Sequence, residues 1–130
     1  MKNNKKRILV DLSASIIHHG HIRLLKKARK FGTVIVALTT DREIKINKGY
    51  FPELSFLQRK EILASIKYVN KVIKSNWKIK DHFLKKNKID LLVRGSDYRS
   101  EKFNVPVKIF PRTKNISSSQ IRARSKKIKI

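Results

Sequence analysis

Apolar residues fall along this chain in short blocks, separated by basic stretches, and the blocks are of two kinds. "RILVDL" (7–12) is a compact run of branched residues, the pattern of a buried strand. Over 20–31 the apolar residues Ile22, Leu24, Leu25, Ala28 and Phe31 recur near helical spacing, and Gly32 offers a stop. "TVIVALTT" (33–40) is apolar on both faces and reads as an interior strand of a parallel sheet. Residues 41–54, "DREIKINKGYFPEL", mix Gly, Pro and charge and read as a long loop. Ser55 can cap a helix over 56–67 that turns Phe56, Leu57, Ile62, Leu63 and Ile66 inward. A strand over 68–74, a helix over 78–87, strands over 90–95 and 105–110 and a helix over 116–124 follow, with a lysine-rich tail behind them.

Strands alternating with helices predict an α/β fold with a parallel sheet and right-handed crossovers. The 130 residues suit one domain, with a core over about 7–124 and a basic tail over 125–130. No internal repeat is evident. In such folds ligands bind beyond the carboxyl ends of the strands, near the point where strand order reverses. The segments in that position are "SASIIHHGH", "DREIKINKGY", "GSDYRS" and "PRTKNISSS", and the unusual residues of the chain concentrate there.

Composition narrows the partner. Thirty-three Lys+Arg against nine Asp+Glu give a net charge of +24, which attracts phosphorylated small molecules, nucleic acid or an anionic membrane surface. Aromatics are few and not interleaved with the basic residues, which argues against a nucleic-acid stacking platform. Weak attraction to anionic membrane remains an expected consequence of the charge. Without cysteine there is neither a disulfide framework nor a thiolate metal site. The first apolar run is too short for a secretory signal and Asp11 interrupts it, so a cytoplasmic setting is expected.

Three of the four histidines lie in "IIHHGHI" (16–22). His18 and His21 are three apart, so both can face one side of a helical turn that opens near Gly20. The backbone N–H groups of such a turn favour a phosphate, and Gly20 lets the backbone approach it closely. Two imidazole donors there could stabilise charge during phosphoryl transfer. A zinc site is a poor alternative, because adjacent His18 and His19 cannot easily share one tetrahedral ion. Incidental surface histidines at a helix start are the other reading.

His18-x-Gly20-His21, after a first strand and opening a helix, resembles the HxGH signature of the nucleotidylyltransferase superfamily. "IIHHGHIRLLKKARKFGTVIVALTTD", "LQRKEILASIKYVNKVI", "IDLLVRGSDY" and "FPRTKNISSSQIR" extend the resemblance over about 7–124, in the glycerol-3-phosphate cytidylyltransferase branch. It implies a Rossmann-like three-layer sandwich with a five-stranded parallel sheet. The implied reaction joins CTP and a phosphorylated alcohol to give a CDP-alcohol and pyrophosphate, by in-line attack and with no covalent enzyme intermediate. The resemblance implies Mg²⁺ carried by the triphosphate, no metal ligands from side chains, and a homodimer. It implies catalytic roles for His18, His21, Lys48 and Arg112. Nucleotide contacts are implied for Ser13, Ala14, Gly20, Gly95, Asp97, Thr113, Ile116, Ser117, Ser118 and Ser119, besides those four. Lys45, Lys67 and Lys80 match positions near the phosphates or the second substrate, and Arg59 lies with Lys67 on the second helix.

Two departures stand out. Ser15 replaces the aspartate of a G-T-F-D stretch, here "LSAS", and Ser96 replaces the first aspartate of G-D-D. "DLLVRGSDY" is also similar to the heptose-phosphate adenylyltransferase domain, which keeps ATP and a sugar phosphate or phosphonate open as alternative substrates. Ser117 and Gln120 form an S-x-x-Q capping pattern for the last helix, with Arg112 just upstream as a bidentate phosphate partner.

Overall fold

The computed structural model describes residues 5–95, 101–111, 113–114 and 116–126. Five strands form one all-parallel sheet: β1 (Lys6–Leu12), β2 (Gly32–Thr39), β3 (Lys71–Ser75), β4 (Leu91–Gly95) and β5 (Val107–Phe110). Five helices accompany them: α1 (His19–Arg29), α2 (Asp41–Lys48), α3 (Phe56–Ala64), α4 (Asp81–Lys86) and α5 (Ser118–Ser125). The order across the sheet is β3-β2-β1-β4-β5. The chain therefore builds outward from β1 in one direction, then returns to start again on its other side. Under the right-handed crossover rule for parallel strands, that reversal moves the connecting helix to the opposite face. Leu25 and Ala28 of α1 and Leu63 of α3 pack with Ile8, Val10, Val34, Val36 and Val93 on one face. Leu84 of α4 packs with Leu9, Ile35, Ala37 and Leu92 on the other. The result is the expected three-layer arrangement.

The strands read from branched runs are all present, with ends that coincide or shift by up to three residues. The segment 41–54 differs: it is not all loop, because α2 occupies Asp41–Lys48. Thr40 caps it by accepting the Glu43 N–H at 3.3 Å, and Gly49 ends it at φ 84°, a left-handed position that favours glycine. Only Ile44 of that helix is buried, so it carries no apolar stripe to announce it.

The inward faces also need correction. Leu57 is 75% exposed, and Ile62, Ile22 and Phe31 are about 40% exposed, so these four do not form the core. On α3 the buried positions are Leu63 and, one turn earlier, Arg59, which is wholly inaccessible. Among the described residues no helix is long and apolar enough to cross a membrane.

Arg59 is stitched to four places. Its Nε donates to Leu54 O at 3.0 Å, and its Nη1 to Ser13 O at 2.6 Å and Thr39 O at 2.9 Å. Its Nη2 meets Asp41 Oδ1 at 2.6 Å. One guanidinium thus joins the chain after β1, the end of β2, the start of α2 and the approach to α3. Burial lowers its pKa, with Asp41 opposing that shift.

Candidate active site

The β1–β4 boundary is where strand order reverses, so the crevice at their carboxyl ends is the expected ligand position. The structure has a cleft there. After β1 the backbone turns sharply at Ala14, whose φ of 47° is left-handed, a strain of roughly 1 kcal/mol for a residue with a Cβ. That turn leads the chain across the strand ends to His18.

His18 is the N-cap of α1, and its ring does the capping. Gly20 N–H donates to His18 Nδ1 at 3.0 Å, and His18 N–H donates to His21 Nδ1 at 3.1 Å. The two imidazoles form a reciprocal capping box, the arrangement usually built from Ser/Thr and Glu/Gln. Their centroids are 3.9 Å apart. An Nδ1 that accepts a backbone N–H is unprotonated, so the proton of each neutral ring sits on Nε2. The helix start therefore fixes the tautomer of both histidines.

Burial, and secondarily the neighbouring His18 ring, lowers the His21 pKa to about 3. His21 is thus neutral in the folded protein throughout the physiological range. In an unfolded chain it protonates near pH 6.5, so its effect on stability is neutral above that pH. Below it, protons bind the unfolded state preferentially, and stability should fall as pH drops from about 6.5 toward 3. Chemical denaturation at pH 7.5, 6 and 5 checks the direction, with His21→Gln removing this group's share of the slope.

Gly20 has a steric reason. A Cβ added there would meet His18 Cε1 at 2.9 Å, Nδ1 at 3.1 Å and Ile116 Cγ2 at 3.4 Å. The glycine makes room for the capping ring, a different service from the ligand approach expected from sequence. In a helix, Gly→Ala ordinarily stabilises by about 1 kcal/mol. Here Gly20→Ala should instead displace the His18 ring, and imidazole ¹H–¹⁵N spectra should show loss of the single Nε2–H tautomer.

The opposite wall comes from α5 and its approach. Ser118 Oγ donates to Ile16 O at 3.1 Å and accepts Ile16 N–H at 3.4 Å, tying the two halves together across 102 residues. Ser117 caps α5 by accepting Gln120 N–H at 3.1 Å. Two helix N-termini, α1 and α5, thus converge on one cleft. Arg122 forms a bidentate ion pair with Glu53, which fastens α5 to the segment following α2. That pair lowers the Glu53 pKa and raises that of Arg122.

The cleft is lined by His18, Gly20, His21, Ser13, Ala14, Lys48, Gly95, Thr113, Ile116, Ser117, Ser118 and Ser119, all named from the sequence. Asp11, Arg23 and Lys27 also line it and were not named. Arg23 and Lys27 follow Gly20 at helical spacing, three and seven residues on, so the signal for them was present. Arg112, Asp97 and Ser96 lie outside the described residues.

Three lysines stand elsewhere. Lys45 is exposed, donates to Gly49 O at 2.9 Å and lies over Phe51. Lys67 is exposed over the Tyr68 ring, away from the cleft lining. Lys80 lines a second hollow with Trp77, Asn47 and Phe83. Lys48 links the two spaces, since it lines the cleft while its Nζ sits 5.7 Å from the Trp77 ring centroid.

The sequence model of the cytidylyltransferase-like family matches residues 13–124, most of the chain and nearly all of the cleft. The chain belongs to the cytidylyltransferase-like family. It is 37% identical to the glycerol-3-phosphate cytidylyltransferase of Staphylococcus aureus (strain NCTC 8325 / PS 47), over 90% of this chain and 92% of that protein. Against the glycerol-3-phosphate cytidylyltransferase of Bacillus subtilis (strain 168) the identity is 33%, over 90% and 95% respectively. The fold of this cytidylyltransferase-like chain also matches the crystal structure of the lipopolysaccharide core biosynthesis protein from Thermoplasma volcanium GSS1. There the TM-score is 0.70 at 24% identity, covering 85% of this chain and 98% of the other.

Proposed function

We propose that the protein transfers the cytidylyl group of CTP to the phosphate of a small phosphorylated alcohol, glycerol-3-phosphate or a close analogue. An acceptor phosphate oxygen attacks the α-phosphorus in line, the bond from that phosphorus to the bridging oxygen breaks, and pyrophosphate leaves with its electron pair. The observation that carries this reading is the pair of histidines whose Nδ1 atoms accept backbone N–H groups at a helix start, which leaves their Nε2–H groups as donors in a cleft shared with a second, serine-rich helix start. Such a site surrounds the phosphates with donors and cations, which suits a direct displacement.

His18 and His21 would donate to phosphate oxygens as charge builds on them. Lys48, Arg23 and Lys27 supply positive charge around the same space. Lys80, beside Trp77, is the lysine we assign to the acceptor phosphate, with Lys48 between it and the nucleotide. Arg112 and Asp97 keep their expected roles on sequence grounds alone. Among the described residues the cleft's one carboxylate, Asp11, is held by Arg94. Mg²⁺ carried by the triphosphate's own oxygens would neutralise part of its charge.

The relatives that match over nine-tenths of the chain favour CTP and a phosphorylated alcohol over ATP and a sugar phosphate. Incubation of the purified protein with Mg²⁺, labelled CTP or ATP, and a panel of phospho-alcohols, phosphosugars and phosphonates tests this. Stoichiometric pyrophosphate and CDP-alcohol are expected. Turnover with ATP but not CTP would replace the reading with an adenylyltransferase.

A further inference from the structure

Asp11 and Arg94 stand side by side at the reversal point of the sheet. The β1–β4 register runs Ile8↔Leu91, Leu9↔Leu92, Val10↔Val93, and its continuation sets Asp11 opposite Arg94. Arg94 Nε donates to Asp11 Oδ1 and Nη2 to Oδ2, each at 3.1 Å. Its third arm, Nη1, reaches Glu101 Oε1 at 3.1 Å, and its guanidinium lies over the Phe103 ring at 5.1 Å. Arg94 and Asp11 are 3% and 5% exposed. Asp11 nonetheless lines the cleft where His18, His21 and Lys48 meet.

A buried carboxylate beside a polyphosphate site is an electrostatic liability. The other charged side chains described on that lining, Arg23, Lys27 and Lys48, are all positive. Bidentate pairing satisfies both Asp11 oxygens and cancels the charge where like-charge repulsion would otherwise act in a poorly solvated space. A well-packed neutral pair can be as stable as a buried ion pair, so stability alone does not account for this one.

We propose that Arg94 is a positioning residue for the nucleotide: it silences Asp11 and joins the two strand ends between which the polyphosphate binds. This rests on the nucleotide reading of the cleft. Arg94 itself touches no reacting atom and acts through Asp11.

Among the described residues, the charged groups facing the Asp11 carboxyl are Arg94 from β4 and Glu101 from the segment after it; β2 presents Ala37 beside it. Burial raises the Asp11 pKa and Arg94 pulls it back. Once Arg94 is gone, the carboxyl can escape repulsion at low pH by taking a proton, so the defect must be read at two pH values.

The test is CTP affinity by calorimetry at pH 6 and 8.5, with acceptor KM measured separately, in four forms: wild type, Arg94→Met, Arg94→Lys, and Asp11→Asn with Arg94→Met. Arg94→Met should weaken CTP binding about 30- to 100-fold at pH 8.5, and less at pH 6, with acceptor KM within about threefold. Arg94→Lys should lie between, and the double variant should return to within a few-fold of wild type. Equal weakening in the single and double variants, or equal losses for CTP and acceptor, would mean a merely structural pair and overturn the proposal. If Arg94→Met does not fold, the double variant decides: wild-type-like CTP binding supports the role, and binding more than tenfold weaker overturns it. Wild-type protein that binds no CTP would sink the nucleotide reading itself, whereas wild-type binding unaffected by Arg94→Met sinks only this inference.

Discussion

His21→Ala should lower kcat about 100- to 1,000-fold, the usual cost of removing one preorganised donor from a developing phosphate charge. CTP affinity should change much less, because the donor matters most when charge accumulates in the transition state. The substitution also removes the acceptor for the His18 N–H, so some stability is lost with it. Two further variants separate donation from capping. His18→Asn should preserve the helix start, since asparagine is among the strongest N-caps, while losing the Nε2–H donor. Its kcat should fall as far as that of an alanine variant, with a melting temperature near wild type. His21→Gln can both accept the His18 N–H and donate, as glutamine does in an ordinary capping box, and should retain more activity than alanine. If His18→Asn and wild type turn over equally, the histidine contributes only to the fold. Because His21 is neutral down to about pH 3, kcat/KM for CTP should show no inflection from this residue between pH 5 and 8.

Arg59→Met should destabilise the protein by about 3–5 kcal/mol, close to the range for breaking buried charge networks. The Asp41 partner is partly exposed and can rehydrate, but the carbonyls of Ser13, Thr39 and Leu54 lose a donor together. Each buried acceptor left unpaired costs about 1–3 kcal/mol. Urea unfolding measures the loss. Arg59→Lys should recover only part of it, because an ammonium cannot reach several carbonyls and a carboxylate in the fork geometry of a guanidinium. Nucleotide affinity should drop as well, since Ser13 lines the cleft and its carbonyl is one of the groups held. A melting curve matching wild type would show that the network is decorative.

The strands were legible because a parallel sheet buried on both faces demands continuous branched runs, as in "RILVDL" and "TVIVALTT". The His18–Gly20–His21 turn was legible because helix periodicity and strand position constrain a short segment strongly. α2 was missed although its punctuation was present: Thr40 with Glu43 three residues on, and Gly49 at the end. Mixed charge and the nearby Pro52 outweighed those signals. α3 was located but turned the wrong way. Leu57 and Ile62 were expected inside, yet the stripe that faces the sheet contains Arg59 and Leu63. A wholly buried arginine is invisible to a hydrophobic pattern, and its partners lie up to 46 residues away in sequence. The Asp11–Arg94 pair was hidden for the same reason, its partners being 83 residues apart. The reciprocal cap of two histidines was also unreadable, since the side-chain nitrogen each one offers the backbone depends on ring orientation.

The strand order has a kinetic consequence. β1, β2 and β3 are joined through one consecutive stretch, with Lys6 paired to Gly32 only 26 positions on. The β1–β4 pairing closes a span of 83 positions, from Ile8 to Leu91. Loop closure makes the first set the earlier to form and the second the later. The crevice lies on the seam between them. In pulse-labelled hydrogen exchange during refolding, amides of β1 and β2 gain protection before those of β4, and a chain halted at that stage has its histidine turn but no floor beneath it.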